Sequence, residues 1–488
     1  MRSEFGRNIR VSIFGESHGP CVGVEVTSLP AGEAVDMEAL QRFLDRRAPG
    51  RSPLTTGRKE TDVPRVISGL FEGKTTGGPL CMEFQNSDAR SADYESLKNI
   101  PRPGHADHTA RLRYGDGVDL RGGGHFSGRL TAPLCAAGGV ALQILERKGI
   151  RVGAHLKQAG TQKDRPFDPV KVSEEDFAQI LENELPVLDA AAGEHMKQEI
   201  LAAKAEEDSL GGAVECAVIG LPGGLGSPMF EGVENVLAQA LFGIPAVKAV
   251  EFGVGSGYAA LRGSQANDAF CIEGGAVRTA TNNCGGILGG ITDGMPLAFT
   301  VTFKPTPSIG KPQQSVDLSA MEQTELRITG RHDPCIAVRA VPAVEAAAAL
   351  CVLDMMMESG EILRRCAPQD DRKSGESGET PATPSDPVIL REAKDPSTTL
   401  EDLRARMDTV NTQILDLFRQ RMDVSARIGA CKRQSGRAVS DPVREAQILK
   451  EIEAQAGPEL EPYARQLFET LFELSREYQR KTAGEDRS

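Results

Sequence analysis

The chain has 488 residues, which at roughly 150 residues per domain predicts two to four domains. Apolar residues make up 40% and charged residues 26%, enough for a sizeable core, and the formal net charge is −13. Such an acidic chain is a poor nucleic-acid or anionic-membrane binder as a whole, which leaves room only for local basic pockets for small anions.

No apolar run approaches the roughly 18 residues of a membrane span. The N-terminal residues MRSEFGRNIRVSIFGESHG lack the apolar core of a signal peptide. The ten cysteines include no CxxC pair, which argues against a zinc site or a disulfide framework and for reduced thiols in a cytoplasmic protein.

In chain order, Val22 to Val26 reads as a β-strand and Ala132 to Lys148 as a buried, Ala-rich helix. Ala213 to Ile219 reads as a strand, as does Ala298 to Phe303, where apolar residues alternate with Thr; Val341 to Met357 reads as a second buried helix. Strands and helices joined by long Gly- and Pro-rich loops predict an α+β or α/β domain over residues 1–366. Residues 367–398 are rich in Pro, Ser, Asp, Glu and Lys, with one apolar island at Val388 to Leu390. They bury too little to offset their ordering entropy and read as a flexible linker.

Residues 399–488 read as all helical. Apolar residues at 400, 403, 407, 410, 414, 417, 418, 424, 428 and 431 step mostly by three or four, the period of a long amphipathic helix that Gly436 ends. Asp441-Pro442 opens a second helix with Pro in its first turn, Pro458 breaks it, and a third runs from Glu461 to Lys481. A first helix of about 50 Å, at 1.5 Å per residue, outgrows so small a domain and calls for a second copy of itself.

Several loops of the first domain carry chemistry. Gly15-Glu16-Ser17-His18-Gly19 places a histidine between glycines at a strand end, either catalytic or a satisfied loop residue. Arg46, Arg47, Arg51 and Arg58 crowd a Pro/Gly loop, as phosphate or carboxylate recognition requires and as a solvated basic loop also would. Arg102-Pro103-Gly104-His105-Ala106-Asp107-His108 has a metal-like His/Asp set, but the spacing without a further ligand argues against metal. Gly122-Gly123-Gly124-His125-Phe126-Ser127-Gly128-Arg129 precedes a helix, like a phosphate cradle or a plain Gly-rich turn. Lys304-Pro305-Thr306-Pro307-Ser308 follows a strand, and Gly330-Arg331-His332-Asp333-Pro334-Cys335 precedes the second buried helix.

Together, GESHG, RPGHAD, GGILGG (285–290), KPTPSI and GRHDPC with RAVPAVEA (339–346) make residues 1–366 resemble chorismate synthase. The chain departs from that family's usual pattern at Ala48 and Pro53, which are often basic, and at His125-Phe126-Ser127, which is often Arg-Ser-Ser. The resemblance implies a homotetramer with a β-α-β sandwich fold that requires reduced FMN, with NADPH as the reductant of the flavin. The implied reaction is anti-1,4-elimination of phosphate from 5-enolpyruvylshikimate 3-phosphate to give chorismate, with transient electron donation from the flavin and no net redox change. It assigns His18 to proton supply at the leaving phosphate, His105 to the flavin ring and Asp333 to the base that manages the flavin proton. Arg47, Arg51, Arg129 and Arg331 become anion clamps, the last beside the cofactor. His125, Phe126, Ser127, Gly289, Lys304, Pro305, Thr306, Pro307 and Ser308 become cofactor contacts. Cys335 is a poor candidate nucleophile, because elimination needs no covalent intermediate.

On the long tail helix, Arg421 and Lys432 lie about 20° apart in phase, whereas Arg404 lies about 100° from Arg421 and cannot easily serve the same pocket. Asp441, Arg444 and Glu445 share one face, as do Ser475 and Gln479. Taken singly these are ordinary surface charges. In order, LRARMD (403–408), FRQRM (418–422), ACK (430–432), SDPVRE (440–445) and SREYQ (475–479) resemble the all-helical chorismate mutase. That resemblance implies an intertwined three-helix dimer, with Arg404 supplied by the partner copy, and a cofactor-free Claisen rearrangement of chorismate to prephenate. Arg421 and Arg404 then clamp carboxylates, Lys432 and Gln479 bond the ether oxygen, and Glu445 with Asp441 holds the ring hydroxyl. Arg444 and Ser475 are orienting contacts. The alternatives are a non-catalytic helical dimerisation or regulatory tail, and a flavin-dependent redox enzyme in front; the lack of a GxGxxG strand–helix fingerprint argues weakly against the latter.

Overall fold

The structure, a computed structural model, describes residues 3–50, 54–55, 62–86, 99–328, 332–358, parts of 404–432, and 442–483. Arg51, Arg331, Asp441, the linker 367–398 and the helix end at Gly436 lie outside the described residues. The chain divides into two compact units, Met1–Asp371 and Arg372–Ser488.

The first unit has a helical layer between two antiparallel sheets. One sheet runs in the order Glu4–Phe5, Arg10–Gly15, Cys21–Thr27, Leu80–Gln85, Arg65–Ser68. The other runs Val247–Phe252, Leu297–Phe303, Gly212–Ile219, Arg151–Ala159, Gln162–Lys163. Helix Thr131–Glu146 packs on the first sheet and helix Ala337–Glu358 on the second, and the two helices pack on each other. The sandwich anticipated from the sequence is present, and all five elements read there end within four residues of the observed ends.

Small residues let these layers approach. A Cβ on Gly138 would stand 2.2 Å from the Cβ of Ala346, so only glycine admits the second helix at this crossing. Two charged residues of Ala337–Glu358 are buried and fully employed. Glu345 takes both terminal nitrogens of Arg46, at 2.6 and 2.8 Å, and the Ala154 amide at 3.0 Å. Asp354 accepts from the backbone amides of Arg7, Asn8 and Ile9. The helix is thereby tied to both sheets. Two helices, Gly128–Glu146 and Ala337–Glu358, are long and apolar enough to cross a membrane, a feature the search for apolar runs missed. Their most apolar windows are 78% and 94% buried inside the fold, so they are core helices.

In the second unit, residues 421–429 are helical and Pro442–Ala483 is one helix of 42 residues. The expected break at Pro458 is absent. An internal proline costs a hydrogen bond and a clash, about 3 kcal/mol. Helix on both sides, with its C-terminal part packed against residues 421–429, outweighs that single defect.

Candidate functional site

The site of the first unit is built around the glycine turn 122–124. All three glycines have positive φ, at 60°, 93° and 51°, a conformation costly for other residues. A Cβ on Gly122 would lie 2.7–3.0 Å from three atoms of the His18 ring, and one on Gly123 would lie 3.2 Å from His105 Nε2. The two histidines predicted as catalytic, 87 residues apart in sequence, thus abut adjacent glycines. The GESHG turn is held in place by Ser17, whose amide donates to the Gly124 carbonyl at 3.1 Å. Asn86 adds bonds to the carbonyls of Glu16 and Gly19, at 3.0 and 2.8 Å.

His105 sits in a buried cluster. Its Nδ1 lies 2.7 Å from Asp107 Oδ1. Arg102 donates to the same carboxylate from its backbone amide, Nε and Nη2, at 3.0, 2.7 and 2.8 Å. Burial alone would raise the Asp107 carboxyl. The bonds from Arg102 and His105 overcome it and hold the group well below the usual carboxylate range. Arg102 also reaches the Ser308 hydroxyl at 3.4 Å, and Lys304 donates to the Gly104 carbonyl, so the KPTPS loop lies against the RPGHAD loop. Burial, with Lys248 nearby, lowers the Lys304 ammonium. Pro305 packs on Gly211 and Pro307 on Gly104.

Arg47 and Arg129 are brought together, but around a carboxylate that the sequence reading did not single out. Asp62 accepts from Arg47 Nη1 at 2.5 Å and also from Arg129 Nη1, with its side chain wholly buried. Burial pushes the Arg47 guanidinium down to about 10 despite Asp62. Arg129 further donates to Asn86 Oδ1 at 3.1 Å. Arg339, also missed, donates to Asp333 Oδ2 at 2.6 Å and to the Arg47 carbonyl at 2.9 Å. Asp333 is therefore tied through Arg339 to the same cluster. Arg339 stood in the sequence only as the first residue of RAVPAVEA, with no role assigned to it, and Asp62 had no signal.

Five candidates stand differently. His125 has both ring nitrogens occupied within the chain. Nδ1 donates to the Gly15 carbonyl at 2.7 Å, so Nε2 accepts from the Ser3 hydroxyl at 2.5 Å, and the residue braces the strand leading into GESHG. Phe126 is half-buried beside it and Ser127 caps the next turn through the Arg129 amide. Gly289 lies on the tight turn joining Ile287–Leu288 to Ile291–Thr292, with open space about it. Cys335 is buried, and burial pushes its thiol up to about 11, so no thiolate nucleophile forms near neutrality.

In the second unit, Arg421 donates to the Leu471 carbonyl at 2.9 Å and to the Ser475 hydroxyl, and lies 5.6 Å from the centre of the Phe472 ring. One turn on, Ser425 receives the Gln479 amide at 2.8 Å, and another turn on, Gly429 packs against the Gln479 side chain. Arg421, Ser475 and Gln479 therefore share a face. Burial lowers the Arg421 guanidinium. Glu445 accepts from Arg476 at 2.5 Å, a partner not foreseen. Arg404 and Arg444 are exposed, and Lys432 is half-buried.

Comparison with known families matches residues 9–357 to chorismate synthase. The chain belongs to the chorismate synthase family. Relatives include the chorismate synthases of Lancefieldella parvula, 46% identical over 367 residues (73% of this chain, 96% of the relative), and Thermococcus kodakarensis, 48% over 353 (72% and 97%). A crystal structure of chorismate synthase superposes with a TM-score of 0.59 at 26% identity, covering 74% of this chain and 97% of that one. Residues 403–480 match chorismate mutase type II. A chorismate synthase and a chorismate mutase domain thus lie on one chain, which makes it a bifunctional enzyme acting on small molecules. The chorismate synthase family needs reduced flavin.

Proposed function

We propose that His18 and His105 work side by side on the glycine turn in the elimination of phosphate from 5-enolpyruvylshikimate 3-phosphate, and that the tail rearranges the resulting chorismate to prephenate. The observation that carries the first step is the contact of both imidazoles with adjacent glycines. His18 supplies the proton that the departing phosphate needs. Asp333, oriented by Arg339, accepts the proton lost from the substrate side. The cluster of Arg47, Arg129 and Arg339 outnumbers its carboxylates Asp62 and Asp333, so it keeps a net positive charge suited to a polyanionic reactant.

The residues present suit a bound flavin. The hydroxyls of Ser17 and Thr306 are buried without a hydrogen-bond partner among the described residues, and the glycine turn leaves the imidazoles uncrowded. Reduced FMN, kept reduced with NADPH, supplies transient electron density for C–O cleavage when bound. His105, Lys304, Thr306, Ser308 and Arg331 would hold it, with Phe126 and Ser127 at the turn.

In the tail, Arg421 and a partner copy's equivalent of Arg404 clamp the carboxylates, Lys432 and Gln479 bond the ether oxygen, and Glu445 with Asp441 fixes the ring hydroxyl. No cofactor is needed there. The mutase unit assembles as a dimer and the synthase unit as a tetramer, in the cytoplasm, without nucleic-acid or membrane partners. The deciding assay supplies the enolpyruvyl phosphate with chemically reduced FMN and follows chorismate, then prephenate. Chorismate that accumulates without prephenate would restore the reading of a non-catalytic tail.

A further inference from the structure

We propose that Asp107 is a positioning residue that sets the tautomer of His105, placing the proton on Nδ1 and leaving Nε2 as the atom that faces the glycine turn. This rests on the reading of His105 as the group beside the cofactor, and adds what fixes its ring. The argument is geometric. Nδ1 has two neighbours, Asp107 Oδ1 at 2.7 Å and Arg102 Nη2 at 3.1 Å. Arginine can only donate. If Nδ1 carried a lone pair it would accept from Arg102 while facing a carboxylate oxygen at closer range, two acceptors in contact. With the proton on Nδ1, the shorter contact becomes a hydrogen bond to a carboxylate, and Arg102 keeps its own three bonds to that carboxylate. The second arrangement satisfies every group.

The consequence falls on Nε2, which lies 3.2 Å from where a Cβ on Gly123 would be. Nε2 is then the sole ring atom that takes up or gives back a proton.

The test is nitrogen-15 NMR of the full chain without flavin, with labelled histidine; the chain has seven histidines, and the His105→Gln spectrum identifies the signal. The neutral wild-type ring should show Nδ1 protonated and Nε2 unprotonated. In Asp107→Asn, Arg102 Nη2 can donate to Nδ1, and the neutral ring should switch to the Nε2–H form. Synthase kcat should fall by on the order of 10²-fold with little change in KM. A wild-type ring protonated on Nε2 in its neutral form would overturn the proposal, as would an unchanged tautomer in Asp107→Asn. If Asp107→Asn does not fold, the wild-type tautomer decides alone. Full synthase activity in His105→Ala would instead defeat the role given to His105 and leave the tautomer result standing.

Discussion

Gln479 donates its amide to the hydroxyl of Ser425 across 2.8 Å, on a face where Arg421 bonds Ser475 one turn earlier. The two helices are in register for a shared site, and Gln479 is buried there. Its neutral amide donates at any ordinary pH, whereas a glutamate donates only when protonated. An unperturbed Glu titrates near 4.3 and burial raises it. Gln479→Glu should therefore lower mutase activity at pH 7.5 and recover it toward pH 5, with synthase activity at pH 7.5 unchanged. A flat pH–rate profile at wild-type rate would remove Gln479 from the reacting bond.

Gly122 stands so close to the His18 ring that Gly122→Ala must move one of them. Its positive φ adds strain of about 1 kcal/mol for alanine. Both His18→Ala and Gly122→Ala should cut chorismate formation, the former by on the order of 10²-fold or more. Steady-state assay with saturating reduced FMN checks this, and mutase activity in the same preparations serves as the control for folding of the tail.

Asp62 is the shared counter-charge of two buried arginines. Removing one partner of a buried ion pair typically costs 3–5 kcal/mol. Asp62→Ala should destabilise the synthase unit by about that much, measured by denaturant unfolding. A stability within 1 kcal/mol or so of wild type would show that the arginines find other partners.

His155 lies between two carboxylates, 2.8 Å from Asp164 and 2.9 Å from Glu215, with Lys157 on Glu215 at 2.7 Å. Two acceptors require both ring nitrogens to be protonated. Burial opposes this, but the bonds to Asp164 and Glu215 raise the His155 pKa overall. Because the folded pKa exceeds the unfolded value near 6.5, this stabilisation is complete below pH 6.5 and is lost as pH rises through the folded pKa. The two carboxylates are lowered, despite burial, by bonds from His155 and other donors, so their contribution is lost as pH falls through the folded values. The stability gap between wild type and His155→Gln should be widest between about pH 4.5 and 6.5 and narrow on either side. Paired denaturation curves across that range read it directly.

Cleavage within residues 367–398 should leave two independently active pieces, since the polar segment offers little to bury. A folded, dimeric 385–488 fragment without mutase activity would refute the separation.

The sequence alone determined the sandwich, its principal strands and buried helices, the helical tail, and the pairing of a synthase with a mutase. Those depend on local periodicity and on short motifs whose residues are neighbours along the chain. Tertiary structure decided which partner each motif residue has. Asp62 reaches Arg129 across 67 positions, Arg46 reaches Glu345 across 299, and His125 spends its nitrogens on Gly15 and Ser3. No local pattern encodes such contacts, because they arise only when distant loops converge. The same holds for Pro458: propensity reads it as a stop, but packing of the residues beyond it keeps the helix whole. Local preference is worth a few kcal/mol at most, and long-range burial outweighs it.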